Sequence, residues 1–471
     1  MTSYRVQPLL DTVVQGGFCI GCGACAALDG SPLSMRLNAD GLYRPQLASG
    51  HVDRADGCDI GQVCPFYSSE NEDSLAEKVF RDQPLLRRDS RLGLVGDTLA
   101  GGVADTDARW HSSSGGLVTW LLEELLRIGE IDGVLHVTPG DEEADGVLYS
   151  YGISRTVDEV RAGAKTRYYP VEFSRVAAFL RSRPGRYAFV GVPCYVKAIR
   201  LLARRDESVR ASLIYCIALF CGHMKSTNYA AHLAWQVGIP PGGLTDMDFR
   251  AKRPPAGANA YGIRARGTVH GEPLEREAPV DGLHGTDWGL GLFKPRACDF
   301  CDDVGGEVAD VAAGDAWLPD YVADSRGTSV AIVRNARLGQ LLGAGASRGE
   351  LELDRVTADD VAASQEASLR HRRDGLALRL WHWDREGLWR PHKRREPSCL
   401  HLPQRERAVV WLRERLARHS HTAFRVALAR RRHSVFRRRM RPWILAYYIV
   451  RRGLLRGVAR GLGLRRRTPA R

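Results

Sequence analysis

The stretch YAFVGVPCYVKAIRLLA, residues 187–203, is the clearest indication of the fold of this chain. Its first part, Tyr187–Val192, is a short apolar run typical of a buried strand, and its second part, Tyr195–Ala203, repeats apolar residues at helical spacing. A strand followed directly by a helix is the repeating unit of an α/β domain. Cys194 lies between the two, where an open sheet usually presents its ligand-binding residues.

The same alternation continues from about residue 90 to about residue 360. Further strands are predicted at Gly133–Val137, Leu213–Phe220 and Ser329–Arg334, and further helices at Leu117–Ile128, Asn228–Val237 and Ala336–Leu342. The chain of 471 residues is longer than one hydrophobic core usually organises. We therefore predict an α/β (α+β) central domain at 76–400, between a small cysteine-rich segment at 1–75 and a helical, Arg-rich tail at 401–471.

The eleven cysteines are interpreted through the compartment that the sequence predicts. No run approaches the roughly 18–20 apolar residues of a membrane-spanning helix, and the N-terminus lacks the apolar core of a signal peptide. We expect a cytoplasmic protein. In a reducing compartment, clustered cysteines favour metal binding or redox chemistry over disulfides.

The first cysteine set is Cys19, Cys22 and Cys25, followed much later by Cys64 and a proline. Three thiolates at this spacing, on a loop with two glycines, can bind three irons of a 4Fe-4S cluster, and a distant cysteine before proline supplies the fourth ligand. Cys58 is an alternative fourth ligand. A structural zinc site is the main alternative, although zinc sites usually pair two CxxC knuckles.

The second set is dispersed and consists of Cys194, Cys221, Cys298 and Cys301. Cys194 and Cys221 follow predicted strands, and the other two form a CxxC knuckle, so the four thiols can meet in space. The alternative is a mixture of core cysteines and one small zinc or redox knuckle. Cys216, in the middle of a predicted strand, is expected in the core, and Cys399 has no predicted role.

A third signal is the run His111-Ser-Ser-Ser-Gly-Gly116, which leads into the helix predicted at Leu117–Ile128. Small and hydroxylated residues at a helix start leave backbone N–H groups free to hold a phosphate or the edge of a flavin. Ordinary helix capping is the alternative explanation.

Taken together, the motifs resemble the coenzyme F420 hydrogenase/dehydrogenase beta-subunit family from Cys19 to about Asn335. The matching pieces, in order, are CxxCxxC, Ser113–Gly116, Lys165–Pro170, Gly191–Cys194, Phe220–Gly222, Arg296–Cys301 and Ala309–Asp315. One departure is Lys165-Thr-Arg-Tyr168, where the family more commonly has Gly-Ser-Lys-Tyr.

The resemblance implies FAD beside a 4Fe-4S cluster on the second cysteine set, and a ferredoxin-like segment that carries another cluster on the first. It implies that the flavin contacts Ser113, Ser114, Gly115 and Gly116, with Lys165 and Arg167 near its polar edge or phosphates. It also implies a loop from Asp310 through Gly314 to Asp315 beside the site. His111 and His223 are candidate proton donors within the matched motifs.

The function implied is oxidoreduction in which FAD exchanges a hydride with a deazaflavin of the F420 type or another organic substrate. Single electrons would then pass through the clusters to a ferredoxin or a partner protein. Two alternatives are a non-catalytic electron-transfer or scaffold subunit and a ferredoxin-dependent reductase of a biosynthetic intermediate.

The net charge of +13 belongs to the tail, because residues 421–471 hold 16 arginines and no acidic residue, leaving about −3 for the rest. The arginines flank an apolar block, Trp443–Val450, within a basic stretch at 430–467. This pattern suits contact with an anionic membrane surface, so the protein could be peripheral at the inner face of the membrane. A docking helix for a partner and a solvated tail are alternatives, and nucleic-acid binding is disfavoured by the apolar block.

Overall fold

The predicted strands all form, and they lie together in one large mixed sheet. The computed structural model describes residues 4–50, 57–83, 85–140 and 146–461. The strands are β1 Tyr4–Arg5, β2 Leu33–Leu37, β3 Tyr43–Leu47, β4 Cys58–Asp59, β5 Arg87–Asp89, β6 Gly93–Val95, β7 Asp97–Val103, β8 Gly133–Pro139, β9 Tyr149–Ser154, β10 Tyr187–Gly191, β11 Leu213–Leu219, β12 Leu244–Ala251, β13 Gly262–Val269, β14 Glu272–Pro279, β15 Val311–Asp315, β16 Ser329–Val333 and β17 Leu351–Arg355.

The main sheet has eight strands in the order β17-β7-β16-β15-β11-β10-β8-β9. Strands β8, β10, β11 and β15 are parallel to their neighbours in this series. Strand β7 points the same way, because β16 is antiparallel to both β15 and β7. Five strands therefore end at one edge, the carboxyl edge, where ligands usually bind in open α/β sheets.

The helices cover both faces of this sheet and form the C-terminal region. They are α1 Gln7–Leu9, α2 Ala24–Ala27, α3 Glu72–Val79, α4 Thr106–His111, α5 Leu117–Arg127, α6 Val157–Ala162, α7 Ser174–Ser182, α8 Pro193–Ala203, α9 Glu207–Ser212, α10 Thr227–Gln236, α11 Pro319–Val322, α12 Ala336–Ser347, α13 Ala358–Ser364, α14 Glu366–Arg385, α15 Gln404–Ala429, α16 His433–Arg452 and α17 Leu454–Gly461; a π-helix spans Leu10–Val14, and 3-10 helices span Ile60–Val63, Val280–Gly282, Trp288–Leu290 and Arg296–Phe300.

Helix α8 begins two residues earlier than the sequence pattern predicts. Pro193 occupies its first turn, where the missing proline N–H costs no hydrogen bond and the fixed φ suits a helix. Cys194 is therefore held in the first helical turn at the carboxyl edge. An antiparallel sheet, β12-β13-β14, was not predicted, and it packs beside the same edge through β12.

The Arg-rich tail folds as a hairpin of α15 and α16, closed by α17. Phe424, Phe436 and Met440 are fully buried, and Ile444, Tyr447 and Tyr448 of the apolar block are buried in the same core. The interpretation of Trp443–Val450 as a membrane-facing surface is therefore wrong for these three side chains. They were misassigned because the sequence pattern does not show which apolar face the protein itself covers.

One hydrophobic core joins side chains from all three predicted segments, including Phe18, Phe189 and Phe436. Among the described residues, no helix is both long enough and apolar enough to span a membrane. The domain boundaries at 75 and 400 and the ferredoxin-like character of the N-terminal segment stay predictions.

The hairpin is also fixed to the central domain by a hydrogen bond, because the Tyr448 hydroxyl donates to Asp287 Oδ2 at 2.9 Å. We expect Tyr448→Phe to lower the free energy of unfolding by about 1 kcal/mol, measured by urea denaturation. Trp411→Phe, at an exposed position of the same hairpin, is the control and should change it by less than about 0.5 kcal/mol. Equal effects of the two substitutions would contradict this docking contact.

Candidate cofactor site

The CxxCxxC loop is shaped by its two glycines. Gly21 and Gly23 have φ values of +74° and +89°. A Cβ on Gly21 would lie 2.8 Å from the Tyr43 carbonyl oxygen, and one on Gly23 would lie 2.4 Å from Glu172 Oε2. Because only glycine fits this backbone, the loop closes tightly between two neighbouring segments.

The structure brings Cys19, Cys22, Cys25 and Cys64 together. Burial raises the pKa of the Cys22 thiol, and the nearby Cys64 and Cys19 raise it further. The pKa of Cys64 is likewise raised to about 12. Burial is the main cause, the nearby Cys19 adds to the rise, and the backbone N–H of Phe66 opposes it. Cys58 is exposed on β4, so the geometry groups Cys64, and not Cys58, with the CxxCxxC loop.

The second set also converges, at the carboxyl edge of the main sheet. Burial raises the pKa of the Cys194 thiol, and Cys301, Cys221 and Cys298 add to that rise. Each position follows from local structure, since two of these cysteines come after β10 and β11 and two lie in or directly after the 3-10 helix Arg296–Phe300. Cys216 is fully buried within β11, as predicted, and Cys399 is half-buried.

The two cysteine sets are neighbours. The buried ring of Tyr195 lies between them, since Tyr195 follows Cys194 in the chain and its hydroxyl lies 3.4 Å from the carbonyl oxygen of Ile20, next to Cys19. Burial raises the pKa of Tyr195, and Cys22 and Cys194 raise it further. The Tyr195 hydroxyl donates to the Val171 carbonyl at 2.6 Å. Tyr151 stacks on Tyr195 with 6.2 Å between ring centroids. Burial raises the pKa of Tyr151, and Cys194 and Cys22, one from each set, raise it further. Both rings are buried.

Among the described residues, no three His, Cys, Asp or Glu side chains are placed to hold a single metal ion. A polynuclear cluster has a different requirement, because each thiolate binds a different iron and the sulfurs are more widely spaced. Each set supplies four grouped, mostly buried thiols, which is the donor set that a 4Fe-4S cluster needs. Binding would displace the thiol protons, since only the thiolate is a ligand.

Arg372 of α14 contacts the cysteines of the second set, and it was not predicted from the sequence. This buried guanidinium donates from Nη1 to Cys301 Sγ and from Nη2 to the carbonyl oxygens of Cys221 and Gly222, at 2.7 and 3.0 Å. It lies outside the matched motifs, so only its position in the fold reveals it. The residue suits the negative charge of thiolates bound to iron.

The predicted flavin loop lies at the same edge, after β7 and α4. A Cβ on Gly115 would lie 2.2 Å from the Gly101 carbonyl oxygen, so the loop packs directly on β7. Ser113 Oγ accepts from the Thr166 N–H at 2.7 Å, and Ser114 Oγ donates to the Thr328 carbonyl at 2.8 Å. Both hydroxyls therefore hold the loop in place. Gly116 has a φ of +83° and precedes α5.

Lys165 and Arg167 lie beside this loop but have partners within the protein. Lys165 Nζ forms an ion pair with Asp248 at 3.0 Å. Arg167 donates to the Met247 carbonyl at 3.2 Å and lies over the Tyr149 ring. Their roles toward a flavin stay predictions.

A small cavity of about 10 Å³ opens next to Ser113, and sequence analysis did not predict it. Its cationic wall consists of Arg250, Lys252 and Arg253 at the end of β12. Arg250 is held by Asp315 through two bonds of 2.9 Å. Burial, together with smaller contributions from the neighbouring Lys165, Arg250 and Arg109, lowers the pKa of Lys252 to about 7. The basic run at 250–253 was the available signal, and the missing step was its placement beside Ser113.

Asp310, Gly314 and Asp315 do not form the expected loop, because residues 311–315 are strand β15. Asp310 lies at the opposite end of this strand, where its carboxylate accepts from Arg200 and from the Cys216 N–H, both at 2.7 Å. The expectation of a loop from Asp310 is therefore wrong, and the bonding of this residue is structural. Gly314 and Asp315 do lie at the carboxyl edge, and a Cβ on Gly314 would meet the Phe220 ring at 2.6 Å.

The two candidate histidines have different surroundings. His111 is exposed, with 76% of its side chain accessible, and its Nδ1 lies 2.9 Å from the Asp107 carbonyl oxygen. His223 is buried beside Cys221 and stacks on Trp288 with 4.3 Å between centroids. Burial lowers its pKa well below the usual value, and its Nε2 has no hydrogen-bond partner among the described residues. Proton donation by either histidine stays a prediction.

A second cleft of about 920 Å³ lies on the other side of the flavin loop, lined by His111, Ser112 and Gly116. Its walls carry more carboxylates than arginines: Asp105, Asp107, Glu123, Glu124 and Glu350 against Arg127 and Arg161. The cationic cavity is better suited to a phosphate group.

Comparison with known protein families identifies the family of this chain. Residues 98–178 match the N-terminal part, and residues 185–359 match the C-terminal part, of the coenzyme F420 hydrogenase/dehydrogenase beta subunit. The chain belongs to this family. The matched regions contain all four cysteines of the second set and the flavin loop, whereas the CxxCxxC loop and Arg372 lie outside them.

Two proteins from species of the genus Methanosarcina are similar to this chain. One subunit of the F(420)H(2) dehydrogenase of Methanosarcina mazei is 24% identical over 328 residues, which cover 67% of this chain and 80% of that protein. A chain in a solved structure of the F420-reducing NiFe hydrogenase complex of Methanosarcina barkeri is 15% identical with a TM-score of 0.47, covering 67% of this chain and 100% of that chain. The family consists of electron-transfer oxidoreductase subunits, so this chain is an oxidoreductase family member for which electron-transfer partners are expected.

Proposed function

We propose that this protein is an iron-sulfur flavoprotein that exchanges a hydride with a deazaflavin of the F420 type or another organic substrate and passes electrons to a ferredoxin or a partner subunit. The observation that carries the proposal is the convergence of eight thiols into two adjacent sets of four. In this assignment, Cys194, Cys221, Cys298 and Cys301 hold the core cluster. Cys19, Cys22, Cys25 and Cys64 hold the N-terminal cluster.

FAD, when bound, would supply hydride chemistry that connects a two-electron substrate with one-electron carriers. The residues that would hold it are the Ser113–Gly116 loop and the cationic wall of Arg250, Lys252 and Arg253. The cavity of about 10 Å³ has room for about one water and is far smaller than the roughly 300–1,000 Å³ that a complete small-molecule site usually encloses. Binding of one phosphate of the nucleotide by these cations therefore requires the cavity to open.

Aromatic side chains lie between this cavity and the core cysteines. Tyr168 lies 4.8 Å from Trp288 between centroids, and Trp288 stacks on His223, which is close in sequence to Cys221. Lys225 Nζ lies over the Trp288 ring at 4.6 Å and donates to the Leu292 carbonyl at 2.6 Å, which fixes this layer. Tyr168 and Trp288 are half-buried and His223 is buried, and this layer of rings lies between the two proposed sites.

The test is the cofactor content of anaerobically purified protein, measured as iron, sulfide, zinc and flavin per chain. We expect about eight irons and one FAD, as two 4Fe-4S clusters and one flavin require. About four irons without flavin would instead support the electron-carrier subunit, and zinc in place of iron would overturn both assignments. Reduced F420 and ferredoxin would then be tested as electron donors, because either direction of electron flow fits this arrangement.

The cationic cavity predicts that flavin binding depends on pH. Lys252, with a pKa of about 7, faces Lys165, Arg250, Arg109 and Asp315 and donates to the Ser114 carbonyl at 3.1 Å. A bound phosphate favours the charged amine, so the affinity for FAD is highest below pH 7 and falls as the pH rises above 7. We expect FAD affinity to be on the order of tenfold weaker at pH 8.5 than at pH 6.5. Lys252→Arg, which stays charged, should remove this dependence, and an unchanged profile would contradict the assignment.

Membrane contact is proposed for a smaller surface than the tail sequence suggests. Leu454 and Leu455 are 66% and 86% exposed at the turn between α16 and α17, beside the exposed Arg451, Arg452 and Arg456. Exposed leucines flanked by arginines suit the interface of an anionic bilayer. Binding to vesicles with phosphatidylserine should be lost in Leu454→Asp/Leu455→Asp. Equal binding of this variant and the wild type would exclude the leucine contact.

A further inference from the structure

Arg372 is a buried cation without a carboxylate partner. It donates to one sulfur, Cys301 Sγ, and to three carbonyl oxygens, those of Cys221, Gly222 and Asp303. In the described part of the chain, no Asp or Glu lies within ion-pair distance of it, and its buried Nε has no hydrogen-bond partner. An unpaired buried charge is costly, so this guanidinium requires an anion that the side chains do not supply.

Two neighbouring carboxylates are paired with other cations, and a third, Asp303, accepts from the Gly306 and Glu307 N–H groups and forms no ion pair with Arg372. Asp302 is 3.0 Å from Lys393 and 3.2 Å from Arg394, and Asp299 is bonded to Lys294. Burial alone would lower the pKa of Arg372, but Cys301, Cys221, Cys298 and Cys194 together raise it above its ordinary value. Its direct sulfur contact is Cys301 Sγ, and the other three thiols of the core set are its electrostatic neighbours.

We propose that Arg372 is a positioning residue whose permanent charge stabilises the reduced core cluster and raises its reduction potential. This inference rests on the proposed function, since it requires a cluster on the core cysteines. A 4Fe-4S cluster with four thiolates has a net charge of about −2, which becomes about −3 when it accepts one electron from an external reductant such as dithionite. No bond forms or breaks, and the arginine keeps its proton in both states, so the added negative charge is compensated locally.

The experiment is a redox titration of the anaerobic full-length protein, followed by electron paramagnetic resonance, with iron counted per chain. The variants are Arg372→Gln, which removes the charge, and Arg372→Lys, which keeps it. Signals of the core cluster are those absent from Cys298→Ser. For Arg372→Gln we expect the ratio of reduced to oxidised core cluster at a fixed potential to fall about tenfold, equivalent to a shift of about 59 mV for a one-electron couple. Arg372→Lys should restore most of the difference.

Arg334→Gln is the matched control. Arg334 is equally buried and donates only to the carbonyl oxygens of Leu92, Leu94, Gly306 and Ala309, so its loss should leave the core potential unchanged. The N-terminal cluster is an internal control and should not shift in Arg372→Gln.

The possible outcomes separate the two proposals. Full iron with an unchanged core potential in Arg372→Gln would overturn the role of Arg372 and leave the cluster assignment standing. If Arg372→Gln loses the core iron, retention in Arg372→Lys supports the charge requirement, and loss in both variants contradicts it. Wild-type protein with no iron that depends on Cys298 would overturn the proposed function itself.

Discussion

Replacing Cys298 and Cys301 together with serine is expected to remove about half of the iron, about four atoms of eight, and the core cluster signal with it. These two thiols supply half of the ligands of the core set. Their loss also leaves Arg372 with two neighbouring thiols in place of four, which makes retention of a cluster less favourable. The N-terminal cluster should persist, because its four cysteines lie on separate loops at Cys19–Cys25 and Cys64.

The measurement is iron and sulfide per chain together with the absorbance and paramagnetic spectra of the reduced protein. Cys216→Ser is a matched control, because this cysteine is also buried, in strand β11 of the main sheet, but its neighbours are Arg200 and Asp310. Unchanged iron in the Cys298/Cys301 variant would rule out the core site. Loss of all iron would show that the two sets do not assemble independently.

Replacing Lys252 and Arg253 together with methionine is expected to lower the FAD content by at least about tenfold. Each cation that pairs with a phosphate contributes roughly 1.5–3 kcal/mol through charge-assisted hydrogen bonds, so the loss of two is sufficient. Neither residue participates in the Arg250–Asp315 pair, and the wall of the cavity should therefore stay folded.

Flavin per chain and the dissociation constant of FAD for the deflavinated protein provide the measurement. Arg264→Met/Arg266→Met, on the adjacent strand β13, removes the same number of charges from an exposed face and should leave flavin binding unchanged. Wild-type flavin content in the Lys252/Arg253 variant would place the phosphates elsewhere. Iron content should be equal in both variants.

Sequence patterns predicted the parts of the fold that are locally encoded. Tyr187–Gly191 is buried throughout and Leu213–Leu219 is buried except at Ile214 and Leu219, and both are continuous apolar runs whose length identifies them as central strands. Strand β15 was missed because Val-Ala-Ala-Gly-Asp is short and rich in small residues, which have weak strand preference. Strand β14 was missed because Glu272–Pro279 is largely exposed and charged.

The site was predicted where function imposes a motif and missed where only the fold brings residues together. The cysteines stood out because spacing constrains them. Arg250 lies 137 residues from Ser113 and Lys252 lies 138 residues from Ser114, and no local pattern connects a strand end with a loop so far away. Arg372 belongs to a helix whose apolar and charged residues show little amphipathic order, so a buried arginine resembles an ordinary surface residue.

The position of Arg372 also has a consequence for biosynthesis. It follows Cys301 by 71 residues, so at about 5–20 residues per second the ribosome needs roughly 4–14 s to synthesise the segment between them. The hairpin that packs on the same core is synthesised later still. During this interval the four core thiols are present without their buried cation. Cluster insertion that waits for the C-terminal helices would protect the site from oxygen and from competing metals, which links the loading of this protein to completion of its chain.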